Sequence, residues 1–170
     1  LAKKNNLFVL EDCAQCFFAK DEKKRIAGTI GDVGSWSFEN SKHITTGDGG
    51  IVTTNNKILA KKMREFSCAG FRNVTASSGK VRIDRNKFQD PNWKRHNTLA
   101  YNYRLPEVAA AIGLAQIERK NFFLSKRIQM GKKFKKIITS SKCDILISQF
   151  IPNKYTHSYY TFPCIFNGKK

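Results

Sequence analysis

An amine held at one place can bond covalently to an aldehyde, and a carboxylate set beside a pyridine nitrogen can keep that ring protonated. Lys42 and Asp12 are the residues in this sequence whose types and order suit both tasks. Lys42 lies in the polar, glycine-rich run Ser37-Phe38-Glu39-Asn40-Ser41-Lys42-His43-Ile44-Thr45-Thr46-Gly47-Asp48-Gly49-Gly50, and Asp12 lies upstream with Gln15 in an Asp-x-x-Gln pair. Together they supply what a pyridoxal 5'-phosphate site requires: an amine for a Schiff base, and an anion that lets the ring act as an electron sink. Ser37 adds a hydroxyl that could bond to a phosphate. Taken singly each group is ordinary, because a lysine beside glycines is commonly solvated and an aspartate at a strand end commonly caps the chain. Their joint order along the chain singles them out.

The elements that must position them read as alternating strands and loops. Leu7-Phe8-Val9-Leu10 is a continuous apolar run, expected to be a strand buried on both faces, with Asp12 just past its carboxyl end. Ligands in open α/β sheets gather at that edge. Val33-Gly34-Ser35-Trp36-Ser37-Phe38 reads as a second strand, and Lys42 follows in the loop at its end. Gly47, Gly49 and Gly50 allow a sharp turn back into a third strand, Ile51-Val52-Thr53-Thr54.

At these residues the chain resembles the DegT/DnrJ/EryC1/StrS family of sugar aminotransferases, a branch of the fold-type I pyridoxal phosphate enzymes. Glu11-Asp12-Cys13-Ala14-Gln15, Gly28-Thr29-Ile30-Gly31-Asp32, Ser37-Phe38 with Lys42, and Thr45-Thr46-Gly47-Asp48-Gly49-Gly50 follow the family in order. Gly70, Asn102-Tyr103-Arg104-Leu105-Pro106 and an alanine-rich helix with Gln116 look like its next landmarks. The resemblance implies an α/β fold, the mostly parallel sheet of the large domain flanked by helices, followed by the start of a small α+β C-terminal domain. It implies that Lys42 carries the cofactor and shuttles a proton, that Asp12 pairs with the ring nitrogen, that Gln15 lies near the ring hydroxyl, and that Ser37 binds the phosphate. Asn102 would reach the phosphate of a neighbouring subunit's cofactor in a homodimer with a shared active site. His157, in His157-Ser158-Tyr159-Tyr160, matches a histidine that begins a late family motif near the substrate. The implied reaction moves an amino group, with glutamate as donor, to a keto sugar on a nucleoside diphosphate, for amino-sugar and cell-surface polysaccharide biosynthesis. Sugar dehydratases of the same fold carry histidine in place of the lysine. Here the spacing from Ser37-Phe38 lands on Lys42 and leaves His43 one residue later, which favours transamination.

The 170 residues suffice for one domain with a core, yet are short for that family. The resemblance places residues 1–124 in the C-terminal part of the large domain and 125–170 in a linking helix and the beginning of the small domain. The family's N-terminal part, and most of the small domain, would lie outside this stretch. The formal charge is +18, from 31 Lys plus Arg against 13 Asp plus Glu, which raises the question of nucleic acid. The basic residues are spread rather than striped, and no zinc-finger, RNP or basic-zipper pattern accompanies them. Solvated faces, with some steering of a diphosphate, account for the charge better; a non-catalytic basic binding protein on the same scaffold is the competing class.

Five cysteines, at positions 13, 16, 68, 143 and 164, with no leader or transmembrane run, suit a reducing cytoplasm. Cys13-Ala14-Gln15-Cys16 has Cys-x-x-Cys spacing, which could be redox active or half of a zinc site, but no second pair exists, so no metal is expected and small packed side chains are the preferred reading. Asn55-Asn56 can cap a helix with Leu59, Met63 and Phe66 on one face. Residues 71–98 read as a long loop that could shape the substrate mouth and carry sugar specificity. Pro106 suits the first turn of a helix running to about Phe123, whose Ala109-Ala110-Ala111 and Gly113 would allow close packing against a dimer partner. Ser125 would begin the next, long amphipathic helix. Its apolar face lacks a strong aromatic anchor, so a membrane surface is not an expected partner.

Overall fold

The computed structural model describes residues 1–141 and 144–168; Cys143, named above, lies outside the described residues. Two compact units are present, Leu1–Val52 with Glu107–Lys170, and Thr53–Pro106.

In the first unit, β1 (Leu10–Asp12) and β2 (Val33–Ser37) pair in parallel, with Leu10 opposite Val33, Glu11 opposite Gly34 and Asp12 opposite Ser35. A third strand, β3 (Gly50–Thr53), completes the sheet in the order β1-β2-β3. The apolar run before Asp12 departs from expectation. Only Leu10 of Leu7-Phe8-Val9-Leu10 enters a strand, and Leu7, Phe8 and Leu10 are exposed, because among the described residues nothing lies across their faces. Burial is found past the strand ends instead, where Phe17, Phe38 and Ile44 form the core cluster with Phe18 and Trp36 packed against it.

Glu11 explains the motif that follows β1. Its carboxylate accepts hydrogen bonds from the backbone N–H groups of Gly28 (2.8 Å), Ile30 (2.7 Å) and Gly31 (2.6 Å), folding the 28–31 turn under the sheet edge. Burial pushes this carboxyl up, but those three donors and Arg25 outweigh it and hold Glu11 below the usual carboxylate range. Asp32 repeats the device on a smaller scale, accepting from Val9 N–H at 2.8 Å.

Helix α3 (Glu107–Glu118) and helix α4 (Lys120–Ser140) follow one another with a single break at Arg119, whose φ of −92° and ψ of 8° lie off the helical values. The expected boundary near Phe123 to Ser125 is therefore too late; Ser125 sits inside α4, its hydroxyl donating to Phe122 O at 2.9 Å. No proline or glycine marks the break. Strands β4 (Leu146–Ser148) and β5 (Cys164–Phe166) pair antiparallel.

In the second unit, helix α1 (Lys57–Ser67) starts as expected: Asn56 Oδ1 accepts from Ile58 N and Leu59 N at 2.9 and 3.1 Å. Residues 71–98 are mostly irregular, as a long loop would be, but contain a short helix, α2 (Arg85–Gln89); Asp84 caps it by accepting from Asn86 N at 2.8 Å. Among the described residues no helix is long and apolar enough to cross a membrane.

Candidate functional site

Because β1 and β2 run parallel with Asp12 opposite Ser35, their carboxyl ends share one edge of the sheet. Asp12 ends β1 and Ser37 ends β2, so the carboxylate and the loop bearing Lys42 leave that same edge. Aromatic packing ties the two departures together. Phe17, from the turn after β1, stacks on Phe38 at 5.9 Å and lies 6.2 Å from the ring of His43. The 38–46 loop closes on itself: Thr46 N donates to Phe38 O at 3.0 Å, Thr45 Oγ1 donates to the same carbonyl at 3.0 Å, and Lys42 N donates to Glu39 O at 3.0 Å. Gly47 and Gly49, with φ of 86° and 126°, then turn the chain through conformations that other residues adopt only with strain.

Gln116, noted in the sequence only as a landmark, anchors this loop from helix α3. Its Oε1 accepts from Thr45 N at 2.9 Å. Gly113, one turn earlier on that helix, leaves room for Thr46, whose Cγ2 would stand 3.0 Å from an added Cβ.

The proposed ring-nitrogen partner, Asp12, is exposed, and its Oδ1 accepts from Ala14 N at 3.0 Å while among the described residues Oδ2 has no protein partner. Gln15 is exposed on the next turn. Ser37 Oγ accepts from Glu39 N at 3.2 Å. Lys42 is half-buried, and its Nζ sits 4.5 Å from the centroid of the Tyr160 ring and donates to Tyr160 OH over a long 3.4 Å. The carboxylate oxygen left open and the loosely held amine, on one sheet edge, fit a cofactor that needs an anion and a covalent anchor.

Two other expected residues make bonds of their own. Asn102 belongs to the second unit, where its Oδ1 accepts from Arg104 Nε at 2.8 Å. His157 makes a local bond, its Nδ1 accepting from Tyr159 N at 3.1 Å, and burial pushes its imidazole below the ordinary histidine range. In the segment that His157 opens, Ser158 and Tyr160 are the residues that reach the lysine loop. Ser158 O accepts from His43 Nε2 at 2.8 Å, and a carbonyl can only accept, so the proton resides on Nε2. Burial lowers the proton affinity of His43, opposed by that Ser158 bond and reinforced by Arg127, His157 and Lys42. His43 is therefore a buried neighbour of Lys42 whose ring is engaged by the Ser158 carbonyl.

Tyr160 was missed in the sequence because its side chain acts across a separation of 118 residues. The preceding Tyr159 takes a left-handed φ of 52° and lies against Gly131 of α4, which turns Tyr160 toward the loop. The thiols of the Cys13-x-x-Cys16 pair are shifted away from the thiolate form. Burial pushes the Cys13 thiol up to about 12 and moves Cys16 in the same direction, and a thiol so weakly acidic is a poor nucleophile. Among the described residues Cys13, Cys16, Cys68 and Cys164 are free thiols.

The profile of the DegT/DnrJ/EryC1/StrS aminotransferase family matches residues 1–170. The chain belongs to that family. Among its relatives, a GDP-perosamine synthase of Escherichia coli O157:H7 is 39% identical over 140 residues, covering 82% of this chain and 34% of that protein. A GDP-perosamine synthase of Caulobacter vibrioides is 37% identical over 129 residues, covering 75% and 29%. The crystallised aminotransferase from Psychrobacter cryohalolentis superposes with a TM-score of 0.75 at 28% identity, over 94% of this chain and 40% of that one. The family's fold-type I architecture is thus the architecture of this chain, which spans about a third of the length of the curated relatives it matches.

Proposed function

We propose that the complete protein is a pyridoxal-phosphate-dependent aminotransferase of the cytoplasm, transferring an amino group from glutamate to a keto sugar carried on a nucleoside diphosphate in amino-sugar biosynthesis. The observation that carries this reading is the shared strand edge from which Asp12 and the Lys42 loop both depart. When bound, the cofactor supplies an electron sink for breaking a bond at the amino-bearing carbon. Lys42 would hold it covalently and could move a proton at Nζ. Asp12 Oδ2 would keep the ring nitrogen protonated, Gln15 would lie near the ring hydroxyl, and Ser37 would bind the phosphate. Asn102 serves the site of a second copy in a homodimer, and His157 borders the sugar. In domain terms, 1–124 belongs to the large domain and 125–170 begins the small one.

A lysine rather than a histidine at position 42 favours amino transfer over dehydration, because a primary amine is needed to take and release the cofactor in each half-reaction. The test is to incubate the complete protein with isotopically labelled glutamate and a panel of nucleoside-diphosphate keto sugars. GDP-linked sugars belong in that panel, since two relatives are named for a GDP sugar. Label appearing in the sugar amine supports the proposal; loss of water from the sugar without incorporation of label overturns it in favour of a dehydratase. Exchanging residues 71–98 for those of a relative should change which sugar is aminated, and unchanged preference would remove this segment from specificity.

A further inference from the structure

Three consecutive residues, Ser41, Lys42 and His43, each bond to the segment Ser158-Tyr159-Tyr160, more than a hundred positions away. The donor directions within this contact are fixed by chemistry. Lys42 Nζ, as an ammonium, can only donate, so Tyr160 OH accepts from it at 3.4 Å. The Glu39 carboxylate can only accept, and it takes the Ser41 hydroxyl proton at 2.6 Å. Ser41 Oγ, its own proton committed, accepts from Tyr160 OH at 2.8 Å. One directed chain results, from Lys42 through Tyr160 and Ser41 to Glu39.

We infer that Tyr160, Ser41 and Glu39 form a hydrogen-bonded relay that orients the Lys42 amine and connects it to a surface carboxylate. A proton leaving Lys42 Nζ passes to Tyr160 oxygen as the phenolic proton moves to Ser41 oxygen and the Ser41 proton moves to Glu39, which then releases it to water. The reverse sequence reloads the amine. No bond other than O–H and N–H changes, and no co-reactant besides water is needed. The backbone around the relay is braced: Arg127 Nη1 donates to Tyr160 O at 3.3 Å, and His43 holds Ser158 O. The Ser41 hydroxyl, donated to Glu39, keeps that carboxylate in its charged, accepting form.

The relay's value for catalysis rests on Lys42 being the cofactor lysine, so its test separates the two ideas. In the complete, cofactor-free protein, the rate at which an acylating reagent modifies Lys42 is followed against pH by peptide mass spectrometry. Tyr160→Phe removes one hydrogen bond to the amine and should speed modification at neutral pH by about tenfold, with Ser41→Ala giving a smaller change in the same direction. In the loaded protein, Tyr160→Phe should also displace the pH midpoint of the visible absorbance band. Ser41→Ala leaves the tyrosine ring in place and carries the same test should Tyr160→Phe fold poorly. Unchanged labelling rates and an unchanged midpoint, with a lowered Tm alone, would reduce Tyr160 to a packing residue and overturn the relay. If wild type gains no band while the labelling rates still differ, the relay stands and the cofactor reading fails.

Discussion

The run Lys42-His43-Ile44-Thr45-Thr46 has a single aliphatic side chain, yet His43, Ile44 and Thr46 are buried; Leu7-Phe8-Val9-Leu10 is wholly apolar, yet Leu7, Phe8 and Leu10 stand 61%, 78% and 66% exposed. Apolar side chains gain from being covered, but that gain does not state what covers them. The lysine loop is enclosed from three sides, by Phe17 beyond β1, by Gln116 on α3 and by Ser158 and Tyr160. The run before β1 has the neighbouring strand along one side and solvent across its faces. Contacts from distant segments therefore decide which of these two runs is buried in this chain.

The difference can be pressed hardest at the amine itself. Lys42→Ala should abolish amino transfer in the complete protein, and Asp12→Asn should lower it by about a hundredfold or more through loss of the anion beside the ring, measured as steady-state label incorporation. Stability comes next. Ile44→Ala, at a side chain 1% exposed in the core cluster, should cost about 3 kcal/mol in urea unfolding, whereas Leu10→Ala should stay within about 1 kcal/mol despite removing the same class of side chain. Similar losses at both positions would erase the contrast. Gln116→Ala, which leaves Thr45 N without its acceptor, should cost about 1 kcal/mol and loosen the loop enough to speed hydrogen exchange at Thr45 and Thr46.

The smallest effect is in acid. Burial favours the neutral form of His43 in the folded chain, whereas the unfolded chain carries an ordinary histidine near about 6.5. The unfolded state thus binds more protons below that value, so this contribution to stability is complete above it and is lost as the pH falls through it toward the lower folded value. Between about pH 8 and about pH 5, Tm should fall more steeply in wild type than in His43→Asn.

Much of this arrangement is legible in the sequence. Asp12 and Lys42 declare themselves by type and order, Asn56 by its capping position, and the glycines after Thr46 by the turn they permit. Less of it could be read where the cause is long-range or conformational. Nothing local distinguishes Tyr160 from Tyr159 as the residue facing the amine; the left-handed backbone of Tyr159 and the gap at Gly131 decide that. The break at Arg119 has no proline or glycine to announce it, and α2 is a single turn or so in a charged stretch whose one signal is Asp84. Exposure of the 7–10 run was invisible because hydropathy reports a preference of the residue and not the presence of a neighbour.

Reduction with borohydride after incubation with pyridoxal phosphate, followed by peptide mapping of the complete protein, tests the site most directly. The account predicts a stable pyridoxyl group on the peptide containing Lys42, and its disappearance in Lys42→Ala. Label on other lysines with Lys42 unmodified, or no label at all, would contradict it.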